Sequence, residues 1–80
     1  MKTIHVRYFA MFRERAGRGE ETLSLDVATA EDVFVQTRDR HGSTEPLGHC
    51  KVAINDVMAE WSSAVQDGDT VLLFPPVAGG

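Results

Sequence analysis

Cysteine is almost missing from this chain. Cys50 is the one cysteine in 80 residues, so no internal disulfide can form, and a reducing compartment is expected. Cationic excess is missing too. Lys and Arg number 8 against 12 Asp and Glu, for a net charge of −4. The richest basic stretch, Arg13 to Arg18, also holds Glu14, so a nucleic-acid partner is not expected. No run approaches the ~20 apolar residues that a membrane span needs. Met1-Lys2-Thr3 leads straight into an alternating pattern, not into the apolar core of a secretion signal. The expectation is a small cytoplasmic domain with no membrane anchor. A chain this short buries only ~60–65% of its unfolded surface. That allows one core but no deep catalytic cleft.

Metal-ligand spacing is also absent. His49-Cys50 could offer two ligands, but His5 and His41 stand at no spacing that completes a zinc site. No metal and no cofactor bound by this chain are expected. Nothing near Cys50 marks it as an activated thiol, although Lys51 adjoins it. Asp67 and Asp69 are explained by a Gln66-Asp67-Gly68-Asp69 turn.

What is present is patterned. Residues 2–9 alternate, with Ile4, Val6 and Tyr8 on one face and His5, Arg7 and Phe9 on the other; this predicts a strand buried on the first face. Residues 11–16 form a short helical turn or loop, followed by Gly17 and Gly19. Leu23, Leu25 and Val27 alternate with polar residues in a second strand. Thr29 is placed to cap a helix running from about residue 30 to 41, with Glu31 and Asp32 in its first turn and Gly42 as its left-handed stop. Ala30, Val33, Phe34 and Thr37 form its narrow inward stripe. Residues 43–49 read as loop. Strands follow at 50–54, at 57–61 as an edge, and at 70–74. The last is apolar on both faces, which predicts a central position. The order ββαβββ points to an α+β fold of the β-grasp, or ubiquitin-like, kind: a mixed sheet of about five strands with one main helix across it. The domain is read as residues 1–74, with 75–80 as a separate tail.

That tail, Pro75-Pro76-Val77-Ala78-Gly79-Gly80, follows the last strand with no linker. Gly-Gly carries no packing side chain and is costly to order. It offers reach and a small cross-section, so a bare backbone can thread a channel that a Cβ would block. The carboxylate of Gly80 has no substituent crowding it. Pro75 and Pro76 stiffen the stem. Six residues can span roughly 20 Å at about 3.3 Å each.

On these residues the chain resembles the molybdopterin synthase small subunits, the MoaD type of ubiquitin-like sulfur carrier. The resemblance rests on the segment from Tyr8 to Glu14, on Val52-Ala53-Ile54-Asn55, on Asp67-Gly68-Asp69-Thr70-Val71 and above all on Phe74-Pro75-Pro76-Val77-Ala78-Gly79-Gly80. Thr37 departs from it, because an apolar residue is usual at that point of the helix. The resemblance implies a carrier. A ubiquitin-activating-type adenylating enzyme would use ATP, as its magnesium complex, to form an acyl-adenylate at Gly80. A persulfide donor protein would convert it to a thiocarboxylate. The large synthase subunit would bind the cyclic pyranopterin monophosphate and receive the sulfur, with two rounds completing a dithiolene. The resemblance also implies a partner-binding patch of Phe9, Met58 and Phe74, continued by Pro75, Pro76, Val77, Ala78 and Gly79. The same fold and ending serve protein modifiers and sulfur carriers for thiamine, cysteine or tRNA thiolation, and these alternatives stay open.

Overall fold

The computed structural model describes residues 1–9, 11–42 and 46–74. In β1 (Lys2–Tyr8), Ile4, Val6 and Tyr8 are buried while Thr3, His5 and Arg7 are exposed. The predicted alternation thus sets one face of the strand against the core. A short helix, α1 (Met11–Ala16), leads into β2 (Glu20–Leu25), which returns antiparallel to β1. The main helix α2 (Ala30–His41) crosses the sheet, and a single 3-10 turn, Leu47–His49, precedes β3 (Lys51–Ile54). β4 (Val57–Ala59) and β5 (Thr70–Phe74) complete the set.

The strand order is β2-β1-β5-β3-β4. β5 runs parallel to β1 and antiparallel to β3, so the sheet is mixed and its last strand is central. Both flanks of β5 are hydrogen-bonded; Val71 and Leu73 are buried on its inner face, while Leu72 and Phe74 stand half-buried on the outer one. The core lies between the inner face and α2. Ile4, Val6, Val52, Val65, Val71 and Leu73 meet Val33 and Phe34 of the helix there, all fully buried.

The ends of α2 form as their sequence dictates. Thr29 accepts from the Asp32 amide while the Asp32 carboxylate accepts from the Thr29 and Ala28 amides at 3.1 and 2.8 Å. Those amide hydrogen bonds hold the Asp32 carboxyl below its ordinary range. Such a cap stabilises by about 1 kcal/mol. Gly42 ends the helix in the left-handed region at φ 67°, where a Cβ would be strained. Thr37 is buried, yet its hydroxyl donates to the carbonyls of Val33 and Phe34 at 2.9 and 3.0 Å. It therefore leaves no orphaned polar atom in the core.

Two expectations needed adjustment, at 43–49 and at the edge strand, and the alternative left open at 11–16 is decided. The 43–49 stretch, read as loop, contains the 3-10 turn Leu47–His49, so β3 begins at Lys51 and not at Cys50. Residues 11–16 are a true helix. The edge strand stops at Ala59; Trp61 turns inward and packs edge-on against Phe34, with centroids 5.2 Å apart. That aromatic pairing, together with the Glu31 amide donating to the Trp61 carbonyl at 2.9 Å, takes the chain out of the ladder. No helix among the described residues is long and apolar enough to cross a membrane.

Candidate functional site

Among the described residues, α2 covers one face of the sheet and the other face is open. On the open face the register assembles rows of side chains. Arg7, Leu72, Ala53 and Met58 occupy one row, paired from β1 through β5 and β3 to β4. The next row carries Phe74 paired with Lys51. Phe9 adjoins it, since its amide donates to the Leu73 carbonyl at 3.2 Å and continues the parallel ladder past Tyr8.

The result is an apolar patch at the end of the sheet where β5 finishes. Phe9 is 47% exposed and Met58 62% exposed, and Phe74 is half-buried. Ala53 is buried within it. Toward β4 the patch opens into a groove whose lining mixes Met58, Ala59, Trp61 and Phe74 with the polar Lys51, Glu60 and Ser63. Large exposed apolar side chains that gather in one place mark a binding surface. Strand parity placed Phe9 and Phe74 on this face. It did not name Leu72, Ala53 or Lys51, although the same alternation carried the signal. Gly80 and the rest of the segment Pro75, Pro76, Val77, Ala78 and Gly79 lie outside the described residues.

Beneath Phe9 sits a polar cluster that the sequence did not disclose. The Tyr8 hydroxyl donates to Glu21 Oε2 at 2.6 Å, and His41 Nε2 meets the same oxygen at 2.5 Å. The Tyr8 and His41 rings stack edge to face at 5.7 Å, and Arg18 Nη1 lies 3.9 Å from the other Glu21 oxygen. Burial, and then the hydrogen bond and charge of Glu21, push the Tyr8 phenol far above its ordinary range. Burial alone would raise Glu21; the hydrogen bonds from Tyr8 and His41 and the charges of His41 and Arg18 outweigh it, and its carboxyl is held low. The cluster ties the end of α2 to β1 and β2, one residue behind Phe9. No spacing rule links residues 8, 21 and 41, so only the fold brings them together.

At the opposite end of the sheet, the motif residues of the resemblance hydrogen-bond to one another. Asn55 Nδ2 donates to Asp69 Oδ1 at 2.9 Å, and its Oδ1 accepts from the Thr70 amide at 3.0 Å. Asp69 Oδ2 accepts from the Gln66 amide at 2.8 Å, and Asp67 Oδ1 from the Thr3 amide at 2.6 Å. Asn55 and Asp56 hold φ of 53° and 68°, the left-handed pair that a two-residue hairpin turn demands. These carboxylates are fastenings for turns. Among the described residues no group of three or more His, Cys, Asp or Glu could hold a metal ion. Cys50 is buried, and its thiol donates to the Pro46 carbonyl at 3.3 Å.

A five-stranded mixed sheet with a central last strand, one crossing helix and an apolar patch beside the strand's exit defines a ubiquitin-like β-grasp protein. The ThiS family matches residues 6–80, and the chain belongs to that family. It is 39% identical over 80 residues to the molybdopterin synthase sulfur carrier subunit of Haemophilus influenzae, covering 96% of this chain and 99% of that one. A solved structure from Pyrococcus furiosus, described as a molybdopterin converting factor subunit 1, superposes with a TM-score of 0.84 at 32% identity, covering 96% and 100% of the two chains. A complex of subunits 1 and 2 of the molybdopterin-converting factor from Helicobacter pylori contains a chain matching at TM-score 0.66 and 25% identity, over 98% and 99% of the two chains. SAMP1 from Haloferax volcanii matches at TM-score 0.79 and 28% identity, over 98% and 99%.

Proposed function

We propose that the chain is the sulfur carrier subunit of a molybdopterin synthase. The observation that carries this reading is its 39% identity to a sulfur carrier subunit over 99% of that protein's length. The position of the apolar patch supports it. A carrier must present one surface to its partners and its reactive end beside that surface, and β5 ends inside the patch.

In this reading Gly80 is the free carboxyl end and the reacting residue. An adenylating enzyme of the ubiquitin-activating type joins its carboxylate to the α-phosphate of magnesium-bound ATP and releases pyrophosphate. The terminal sulfur of a donor persulfide then attacks the acyl carbon and AMP departs, giving an acyl disulfide. A thiol attacks the donor's sulfur of that S–S bond, releasing the thiocarboxylate and ending as a disulfide with the donor. A carboxylate is a poor electrophile, and the adenylate supplies the leaving group. The thiocarboxylate is nucleophilic yet covalently held, so no sulfide escapes. The tail Pro75 to Gly79 threads into the large subunit, which binds the cyclic pyranopterin monophosphate. Tethering there raises the effective concentration of sulfur beside the pterin. Phe9, Met58 and Phe74 form the docking patch for both partners. The chain itself binds no cofactor and supplies no catalytic side chain. Two copies on a dimer of the large subunit make the functional unit, in the cytoplasm.

The test is reconstitution. Thiocarboxylated chain, large subunit and cyclic pterin precursor should together form molybdopterin, and omitting either protein should form none. A second reading is favoured by the likeness to SAMP1: a protein modifier whose Gly80 is joined to lysines of other proteins. Robust attachment to many proteins with no pterin product would select it. Sulfur delivery to thiamine, cysteine or tRNA keeps the chemistry and changes the acceptor. Activity with those acceptors and none with the pterin would identify that case.

A further inference from the structure

The Tyr8–Glu21–His41 cluster exceeds what burial requires. A phenylalanine at position 8 would fill the same space, and an apolar residue at 21 would need no partner. Exchanging a buried ionic cluster for apolar side chains is often neutral or even stabilising, so stability alone does not account for these groups. Hydrogen bonds add direction, which apolar contact lacks. Glu21 Oε2 accepts from the Tyr8 hydroxyl of β1 and meets Nε2 of His41, the last residue of α2. Its Oε1 faces Arg18, ahead of β2. The Glu21 and His41 side chains are 9% and 17% exposed, so water competes weakly for these bonds.

Phe9, the next residue along, has few fastenings of its own among the described residues. β1 pairs with β2 as far as Arg7 and Glu20, and the Tyr8 amide then donates to the Gly19 carbonyl at 2.8 Å. On the β5 side the ladder ends in one hydrogen bond, from the Phe9 amide to the Leu73 carbonyl at 3.2 Å, the long limit for such a bond. Phe9 is exposed, so packing does not clamp its ring. Successive side chains of a strand point to opposite faces. With Tyr8 held inward by Glu21, Phe9 is set outward. A strand end free to rotate would carry both rings together.

We propose that Tyr8 and Glu21 are positioning residues for the docking patch: Glu21 ties the Tyr8 hydroxyl to the end of α2, and the tethered Tyr8 holds Phe9 outward for the partner. This rests on the carrier reading, which supplies the large subunit as that partner. Tyr8 is buried and acts on the partner only through Phe9. A side chain already held in its bound position gives up less freedom on docking, and binding is tighter by that saving. The cluster thus does on the inner face what packing does not do for Phe9 on the outer one. It also explains why the polar groups sit one residue behind the exposed ring, where their hold on the strand end is most direct.

The experiment uses Tyr8→Phe, which removes the hydroxyl and keeps the buried ring. Amide hydrogen exchange on the full chain alone comes first. The Phe9 amide should exchange about tenfold faster in the variant, because opening of the strand end becomes easier. A double-mutant cycle with Phe9→Ala then reads affinity for the large subunit by calorimetry, at a temperature where every variant is folded. Tyr8→Phe should weaken binding by about three- to tenfold. In the Phe9→Ala background the same change should have no effect, since the ring it positions is gone. A merely structural role would give equal losses in both backgrounds. The proposal is overturned by such equal losses, by undiminished affinity in Tyr8→Phe, or by an unchanged Phe9 exchange rate. If the wild-type chain binds no large subunit, the carrier reading fails instead, and the exchange rate alone decides whether the cluster holds Phe9.

Discussion

The two ends of the sheet are built on opposite principles. At the end where β1 begins and β5 starts, polar side chains meet backbone amides. Asp67 takes the Thr3 amide, Asp69 the Gln66 amide and Asn55 the Thr70 amide, while Asp32 caps α2. At the end where β5 finishes, Phe9 and Met58 are exposed and Phe74 is half-buried. The first end spends its chemistry on holding turns. The second leaves apolar area in water, which folding alone does not explain. Recurrent-looking motifs therefore divide by what they touch. Asn55 and Asp67-Gly68-Asp69 are scaffold, and the exposed residues at the end of β5 are the candidate site.

Substitutions can break or sharpen this contrast, beginning with the strand that joins the two ends. Leu73 is fully buried in β5. Leu73→Ala should cost about 2–5 kcal/mol of stability, read by urea denaturation, and should weaken partner binding only through unfolding. At the exit end, Phe9→Ala should weaken binding to the large subunit by about 30-fold or more, measured by calorimetry, while the melting temperature barely moves. A fall in melting temperature with unchanged affinity would make Phe9 a packing residue. At the far end, Asn55→Ala should do the reverse. It removes two hydrogen bonds and leaves the Thr70 amide without its side-chain acceptor, at about 1–2 kcal/mol, with the affinity of the folded fraction unchanged.

The smallest effect concerns Glu21. Its carboxyl lies below the ordinary value of 4.5, so the folded state favours the ionised form. That contribution is present above the ordinary value and is lost as pH falls through the lower folded one. Glu21→Gln should therefore be less stable than the wild type near pH 7, by about 1 kcal/mol. The gap should narrow on acidification below about pH 4, as followed by thermal melts across pH. A gap that widens in acid would remove Glu21 from the ionised role.

Most of the fold was legible because burial here follows strict periods. The alternation in β1 named its inner residues, the two-faced apolarity of β5 named its central place, and Thr29 and Gly42 marked both ends of α2. What stayed hidden depends on contacts between distant residues. The Tyr8–Glu21–His41 cluster, the link from Asn55 to Asp69 and the inward turn of Trp61 arise from chain reversals that no local pattern encodes. The patch was half legible. Parity placed Phe9 and Phe74 on the open face, but only the register of three strands adds Lys51, Ala53 and Leu72 to them.

The central claim is that Gly80 carries sulfur, and intact-mass measurement tests it most directly. After incubation with the adenylating enzyme, ATP and a sulfur source, the account predicts a gain of about 16 Da, oxygen replaced by sulfur, located in the peptide ending at Gly80. A chain lacking Gly80, or extended by one residue, should gain nothing while melting as the wild type does. A gain of about 32 Da on the peptide containing Cys50, or full charging of the shortened chain, would contradict it.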